Sequence, residues 1–168
     1  MTAERRATFH TGSAEATIDL AAALGSLLRG GEVLGLVGDL GAGKTTFVKG
    51  LCRGLGLADT SRVSSPSYVL EHIYEARLSV HHYDAYRLES SDEFLALGFE
   101  EHLGSDRDVM FVEWADRVAA ALPAEHLSIT IDYADGGGAG GEGRRLTLAG
   151  RADVWGPVLD ELERFKLR

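Results

Sequence analysis

The segment Gly38-Asp39-Leu40-Gly41-Ala42-Gly43-Lys44-Thr45 fits the pattern G-x-x-x-x-G-K-[ST] at every fixed position. Glycines in such a loop let successive backbone N–H groups turn toward one anion. A helix beginning at its end would present its N-terminus to the same anion. Lys44 would neutralise the β- and γ-phosphates of a nucleotide, and the Thr45 hydroxyl would be a ligand of Mg²⁺. The chain has only three lysines, Lys44, Lys49 and Lys166, so a lysine at this position is not compositional noise. Magnesium also needs a carboxylate from beyond the loop, and two positions offer one. Glu113 ends the apolar run Val109-Met110-Phe111-Val112, where phosphate-loop enzymes commonly place an acid. Asp84 lies in His82-Tyr83-Asp84-Ala85-Tyr86-Arg87. In extended backbone, period two puts His82, Asp84 and Tyr86 on one face, a concentration of polar groups unlike a core. Either acid fits the metal role. His81-His82 is a weaker metal candidate, since no cysteine or further histidine stands at ligand spacing, and no metal beyond magnesium is expected.

A phosphate loop needs a strand before it and a helix after it, and the hydrophobic pattern provides both. Val33 to Val37 is a short continuous apolar run, read as a strand buried on both faces. From Thr45 to about Leu55 the apolar positions Phe47, Val48, Leu51, Cys52 and Leu55 return at helical spacing until Gly56. An earlier helix is predicted from about Ala14 to Leu28, with Ser13 as its cap and Gly30-Gly31 after it. Ala58 to Ser67 reads as a polar loop, and Tyr68–Ala76 with Leu78–Tyr83 as an antiparallel hairpin. Ser90 and Glu93 form a capping box for a short helix closed by Gly98. Residues 109 to 112 make a central strand that delivers Glu113 and Trp114 to the ligand edge of the sheet. Leu127–Tyr133 and Arg144–Ala149 read as a strand pair joined by a mobile glycine-rich segment from Asp135 to Gly143. A last helix runs from Asp153 to Phe165. No repeat of 20 to 50 residues recurs. The expectation is an α/β fold of three layers, of the P-loop NTPase type, whose mixed sheet has a parallel core and flanking antiparallel strands.

Composition narrows the classes. The 168 residues suit one domain, residues 1–168. With 45% apolar and 26% charged residues, a disordered or fibrous chain is excluded. A net charge of −9 disfavours direct, tight grip on nucleic acid. Cys52 is the one cysteine, so no internal disulfide forms, which fits a reducing compartment. The apolar stretch Leu20–Leu28 is far shorter than the roughly 18 residues a membrane span needs. No secretory signal follows the N-terminal residues, and a cytoplasmic location is expected.

Four segments together carry a narrower resemblance. Gly38 through Thr46, Val63-Ser64-Ser65-Pro66-Ser67-Tyr68, His82-x-Asp84-x-Tyr86-Arg87 and the pair Glu113-Trp114 occur in this order. The chain so resembles the TsaE (formerly YjeE) family of bacterial ATPases in tRNA threonylcarbamoyladenosine biosynthesis. Ser67 stands where that family usually has Thr, which retains the hydroxyl, and Gly136–Gly143 is longer than usual there. The resemblance implies that Gly38, Asp39, Leu40, Gly41, Ala42, Gly43, Lys44, Thr45 and Thr46 cradle the phosphates of ATP or ADP, with Thr11 an adenine contact; Trp114, following Glu113 at the ligand edge of the sheet, is expected near the nucleotide on that ground. It implies a switch-like loop at Ser64–Tyr68. Metal or water positioning by Asp84 and Glu113, beside the Mg²⁺ ligand Thr45, follows in the same way, as does a catalytic role for Lys44, Asp84 and Glu113. It also implies partners: homologues of TsaB and TsaD, which place threonylcarbamoyl on adenosine 37 of tRNA and would hold the tRNA themselves.

Two other readings share the phosphate loop. A small-molecule kinase would close an arginine-rich lid over the phosphates. Arg144 and Arg145 are the candidates for it, although arginines at a hairpin base are more often solvated. A nucleotide switch without hydrolysis would bind partners according to nucleotide state. The lack of an N/TKxD-type segment argues for ATP over GTP.

Overall fold

Continuous aliphatic runs need cover on both faces, and the two clearest such runs become neighbours at the centre of one sheet. In the computed structural model, which describes residues 2–134 and 141–166, they are β2 (Val33–Val37) and β5 (Asp108–Glu113). The two pair in parallel, with Leu36 opposite Glu113. The sheet is completed by β1 (Glu4–Thr11), β3 (Glu71–Glu75), β4 (Ser79–Asp84), β6 (Leu127–Tyr133) and β7 (Arg144–Arg151). The strand order is β1-β7-β6-β2-β5-β4-β3. Strands β6, β2, β5 and β4 run parallel, while β7, β1 and β3 join antiparallel. This is the expected mixed sheet.

Each face of the sheet has its own cover. Helices α1 (Ala14–Leu27), α2 (Lys44–Gly54) and α4 (Ala152–Lys166) pack over one face, on a core that includes Phe47, Leu51, Phe111 and Trp155. On the other face, α3 (Ser91–Leu95) and the 3-10 segments Phe99–His102 and Ala115–Ala121 enclose Tyr83, Phe94, Phe99, Met110 and Val112. The result is the three-layer α/β arrangement. No helix among the described residues is long and apolar enough to cross a membrane.

Local chemistry sets the helix ends. The Ser13 hydroxyl accepts from Ala16 N–H at 3.1 Å and caps α1. Ser90 caps α3 by accepting from Glu93 N–H at 3.2 Å, but the Glu93 carboxylate reaches Glu89 N–H rather than closing the box on Ser90. Helices α1 and α2 touch through glycine. A Cβ at Gly50 would stand 2.5 Å from both the Ala21 Cβ and the Ile18 carbonyl oxygen. Gly50→Ala is therefore expected to lower stability by about 1 to 3 kcal/mol through overpacking, read as a lower urea midpoint with an unchanged slope. An unchanged midpoint would mean that the helices separate freely. Burial pushes the Cys52 thiol up to about 12, so alkylation of the native protein near pH 8 should be negligible. It should become rapid only in denaturant.

Three parts differ from the sequence reading. β1 is an addition to the sequence reading: Ala7 and Phe9 face inward while their neighbours are charged or polar, an alternation of only two apolar positions. The hairpin begins at Glu71 rather than Tyr68. Leu70 N–H bonds the Pro66 carbonyl at 2.7 Å and Leu70 takes φ +71°, so residues 66–70 turn instead of extending. Most of the segment expected to be mobile, 135–140, lies outside the described residues.

Candidate functional site

The phosphate loop connects β2 to α2, and its geometry follows from glycine. Gly43 takes φ +115° at the first turn of α2, in the left-handed region that a side chain would strain. α2 therefore starts at Lys44 with its N-terminus facing the loop, where backbone N–H groups and the helix dipole favour an anion. Lys44 is buried, and its Nζ donates to the carbonyls of Gly38 at 2.6 Å and Asp39 at 2.9 Å. The same ammonium lies 4.0 Å above the centre of the Trp114 ring. Burial pulls the Lys44 ammonium below the usual lysine value, against the opposing pull of Glu113 and Asp84.

The parallel register of β4 and β5 brings the two acids side by side, since Asp84 pairs with Glu113 at the strand ends. Both are nearly fully buried. They have different partners. The Thr45 hydroxyl donates to the Glu113 carboxylate, 2.9 and 3.1 Å from its two oxygens, and His82 Nε2 lies 2.5 Å from Glu113 Oε2. Asp84 instead holds the polar loop: its Oδ2 accepts from the hydroxyls of Ser65 and Ser67, the latter at 3.0 Å, and its Oδ1 from Tyr86 N–H at 2.8 Å. One acid is thus tied to the phosphate loop and the other to the loop that was expected to switch.

These groups line a cleft of about 410 Å³ that holds Leu40, Gly41, Gly43, Lys44, Thr45, Thr46, Asp84, Glu113 and Trp114, together with Ser65, Ser67, Tyr68, Tyr86 and Arg87. Trp114 adopts φ +59°, rare for a tryptophan, and the turn places its ring over Lys44 and 4.8 Å from the Tyr86 ring. Arg87 stacks on Tyr68 at 4.3 Å. Thr11 lies outside this cleft. Its hydroxyl bonds that of Thr17 at 2.7 Å, and Thr17 lines an adjoining cavity with Gly41, Gly43, Thr46 and Arg144. Asp39 contributes its carbonyl, and Ala42 is fully buried.

Some residues of the site carry no clear signal in the chain. His82, on the polar face of β4, bonds Glu113 through Nε2 while its Nδ1 meets Tyr74 Oη at 3.3 Å. Tyr74 Oη in turn contacts the Ser64 carbonyl at 3.4 Å, which links the polar loop to Glu113. A buried polar chain of this kind becomes visible only once the hairpin register is known. Arg144 is not a solvated hairpin base, because its Nε donates to the Ala42 carbonyl at 2.7 Å and pins β7 to the phosphate loop. Arg117 lies over the Tyr86 and Trp114 rings.

Trp114 in the cleft yields a direct test. Its fluorescence should change on adding ADP or ATP, whereas Trp155, buried on the far side with its indole N–H on the Glu125 carbonyl at 2.7 Å, should not respond. A response kept in Trp114→Phe but lost in Trp155→Phe would refute the placement.

Known proteins resemble this chain over most of its length. Residues 11–140 match the family model described as threonylcarbamoyl adenosine biosynthesis protein TsaE. The chain is 40% identical over 138 residues to a tRNA threonylcarbamoyladenosine biosynthesis protein TsaE of Treponema pallidum, covering 82% of this chain and 96% of that one. It is 36% identical over 157 residues to the Bacillus subtilis protein of the same name, covering 93% of each. A crystal structure of Bacillus subtilis YdiB superposes with a TM-score of 0.78 at 30% identity, over 99% of both chains. The chain belongs to the TsaE family of threonylcarbamoyl adenosine biosynthesis proteins.

Proposed function

We propose that this chain is a Mg²⁺-dependent ATPase that drives a tRNA-modifying assembly through its cycle, acting with homologues of TsaB and TsaD and meeting tRNA only through them. The observation that carries the reading is the convergence of Lys44, Thr45, Asp84 and Glu113 on one cleft at the phosphate loop. Family membership supports the tRNA modification pathway.

The donors suit the expected ligands. A hydroxyl and a carboxylate 2.9 Å apart, with a second carboxylate on the next strand, are the hard oxygen ligands that magnesium takes in small number. Bound there, magnesium would neutralise charge on the β- and γ-phosphates. Lys44, already desolvated, would exchange its loop carbonyls for phosphate oxygens, a charge-assisted contact. Glu113 would hold metal or attacking water, kept in orientation by His82. Asp84 would couple the site to the Ser64–Tyr68 loop, whose exposed Tyr68, with the adjoining exposed Val69, offers a partner a surface that follows the loop. Among the described residues the arginines nearest the cleft are engaged elsewhere: Arg87 stacks on Tyr68, Arg117 lies over Tyr86 and Trp114, and Arg144 is bound to the Ala42 carbonyl. Arginine fingers contribute roughly 10³ to 10⁵ in rate, so turnover by the isolated chain should be slow.

Product analysis tests the reading. Phosphate released from ATP without an acceptor supports the ATPase. Phosphorylation of an acceptor would make the chain a kinase, and tight binding without turnover a nucleotide switch.

A further inference from the structure

Away from Asp84 and Glu113, toward the start of β4 and β5, lies a second polar cluster in which His81 is buried and its partners are half-buried. His81 belongs to β4, Asp108 opens β5, and His102 ends the 3-10 segment Phe99–His102 that lies over them. His81 Nε2 is 3.2 Å from Asp108 Oδ1, and His102 Nδ1 is 3.7 Å from Asp108 Oδ2. One ligand atom from each residue falls within 4.8 Å of the others. Glu71, on β3, stands on the far side of His81, with its Oε1 3.7 Å from His81 Nδ1.

His81 is thus flanked by carboxylates on both ring nitrogens while its side chain is only 5% exposed. A neutral imidazole has one N–H, so without a further cation one lone pair must face a carboxylate. Nδ1 has no hydrogen-bond partner. Protonating His81 would satisfy both sides but would bury an imidazolium stacked on His102, whose ring centre is 3.8 Å away. A divalent cation held by His81 Nε2, His102 and Asp108 resolves the conflict differently. It takes the lone pair of Nε2, leaves the Nδ1 proton for Glu71, and reproduces the carboxylate–histidine–metal arrangement of protein metal sites.

We propose that His81, His102 and Asp108 form a binding site for a borderline transition-metal cation of the Zn²⁺ class, with Glu71 orienting His81. Two imidazoles and one carboxylate select such an ion over Mg²⁺, which prefers oxygen, and leave a fourth position for water. His102, stacked on His81 and with its side chain 27% exposed, would turn partly out of the stack to close the coordination. The three ligands come from three segments, so the ion would fasten the Phe99–His102 cover onto the sheet. Along the strands the site begins three residues before Asp84 and Glu113, about 10 Å, and it does not depend on the nucleotide reading.

The experiment titrates the full-length chain with ZnCl₂ in excess Mg²⁺ and measures bound zinc after dialysis, alongside the melting temperature. The expected result is one zinc per chain and a raised melting temperature. His102→Phe keeps an aromatic ring against His81 and should lose the zinc and its thermal shift, while Glu71→Gln should weaken affinity about ten- to a hundred-fold. Co²⁺ in place of zinc should give the visible absorption of a four-coordinate ion. Should His102→Phe not fold, Glu71→Gln and the Co²⁺ spectrum decide. Zinc bound equally by the wild type and the variants, or no stoichiometric zinc in the wild type, would overturn the proposal.

Discussion

Lys44→Ala should weaken ATP binding by about ten- to a hundred-fold, the usual cost of losing a charge-assisted contact to phosphate, and reduce turnover with it. The side chain is buried and holds its ammonium against the Gly38 and Asp39 carbonyls of the loop. Removing it leaves the carbonyls of Gly38 and Asp39 without this donor, so a modest loss of stability should accompany the loss of affinity. Thr45→Ala should act by a different route. It removes a hydroxyl that contacts Glu113 and is placed to ligate the metal, so it should raise the Mg²⁺ concentration needed for turnover more than it weakens nucleotide binding. Isothermal titration with ATP at several Mg²⁺ concentrations separates the two. Titrations unaffected by either substitution would remove the phosphate loop from the mechanism.

Glu113→Gln should reduce hydrolysis by roughly 10² to 10⁴, the range for a positioned general base or its equivalent, while nucleotide remains bound. Gln keeps the shape and can still meet Thr45, but it lacks the charge that a metal or an attacking water requires. Asp84→Ala should behave differently, because Asp84 is bonded to Ser65, Ser67 and the Tyr86 amide rather than to the phosphate loop. It should loosen the 64–68 segment and impair the response to partners more than the intrinsic rate. Single-turnover hydrolysis, compared with nucleotide affinity for each variant, distinguishes these roles. Equal effects on both quantities in both variants would contradict the division between the two acids.

Much of the site was legible because its signals are local. The phosphate loop, the strand before it and the helix after it lie within consecutive residues, and the fold places them in that order. Glu113 was legible for a similar reason: an acid directly after a fully apolar run sits at a strand end by default. What the chain could not show depends on pairing between distant strands. The adjacency of Asp84 and Glu113, the His82–Glu113 bond and the Arg144 contact with Ala42 span from 29 to 102 residues and depend on register, which no spacing rule encodes. The same limit hid the second histidine of the Asp108 cluster. His102 is 21 residues from His81, in a segment with no ligand pattern, and only the covering 3-10 turn brings them together. β1 has little signal of its own because its alternation rests on just Ala7 and Phe9, set among Arg6, Thr8 and His10, and its one strand neighbour, β7, is distant in the chain.

The central claim is that ATP hydrolysis at this cleft drives repeated rounds of tRNA modification. Its most direct test is multiple-turnover threonylcarbamoylation of tRNA by homologues of TsaB and TsaD with wild-type chain or Glu113→Gln, ATP consumption being measured in the same reactions. Repeated turnovers with the wild type, and an arrest near one round with Glu113→Gln despite retained nucleotide binding, are the predicted result. Modification that continues undiminished through many rounds with the hydrolysis-deficient variant would contradict an ATP-driven cycle.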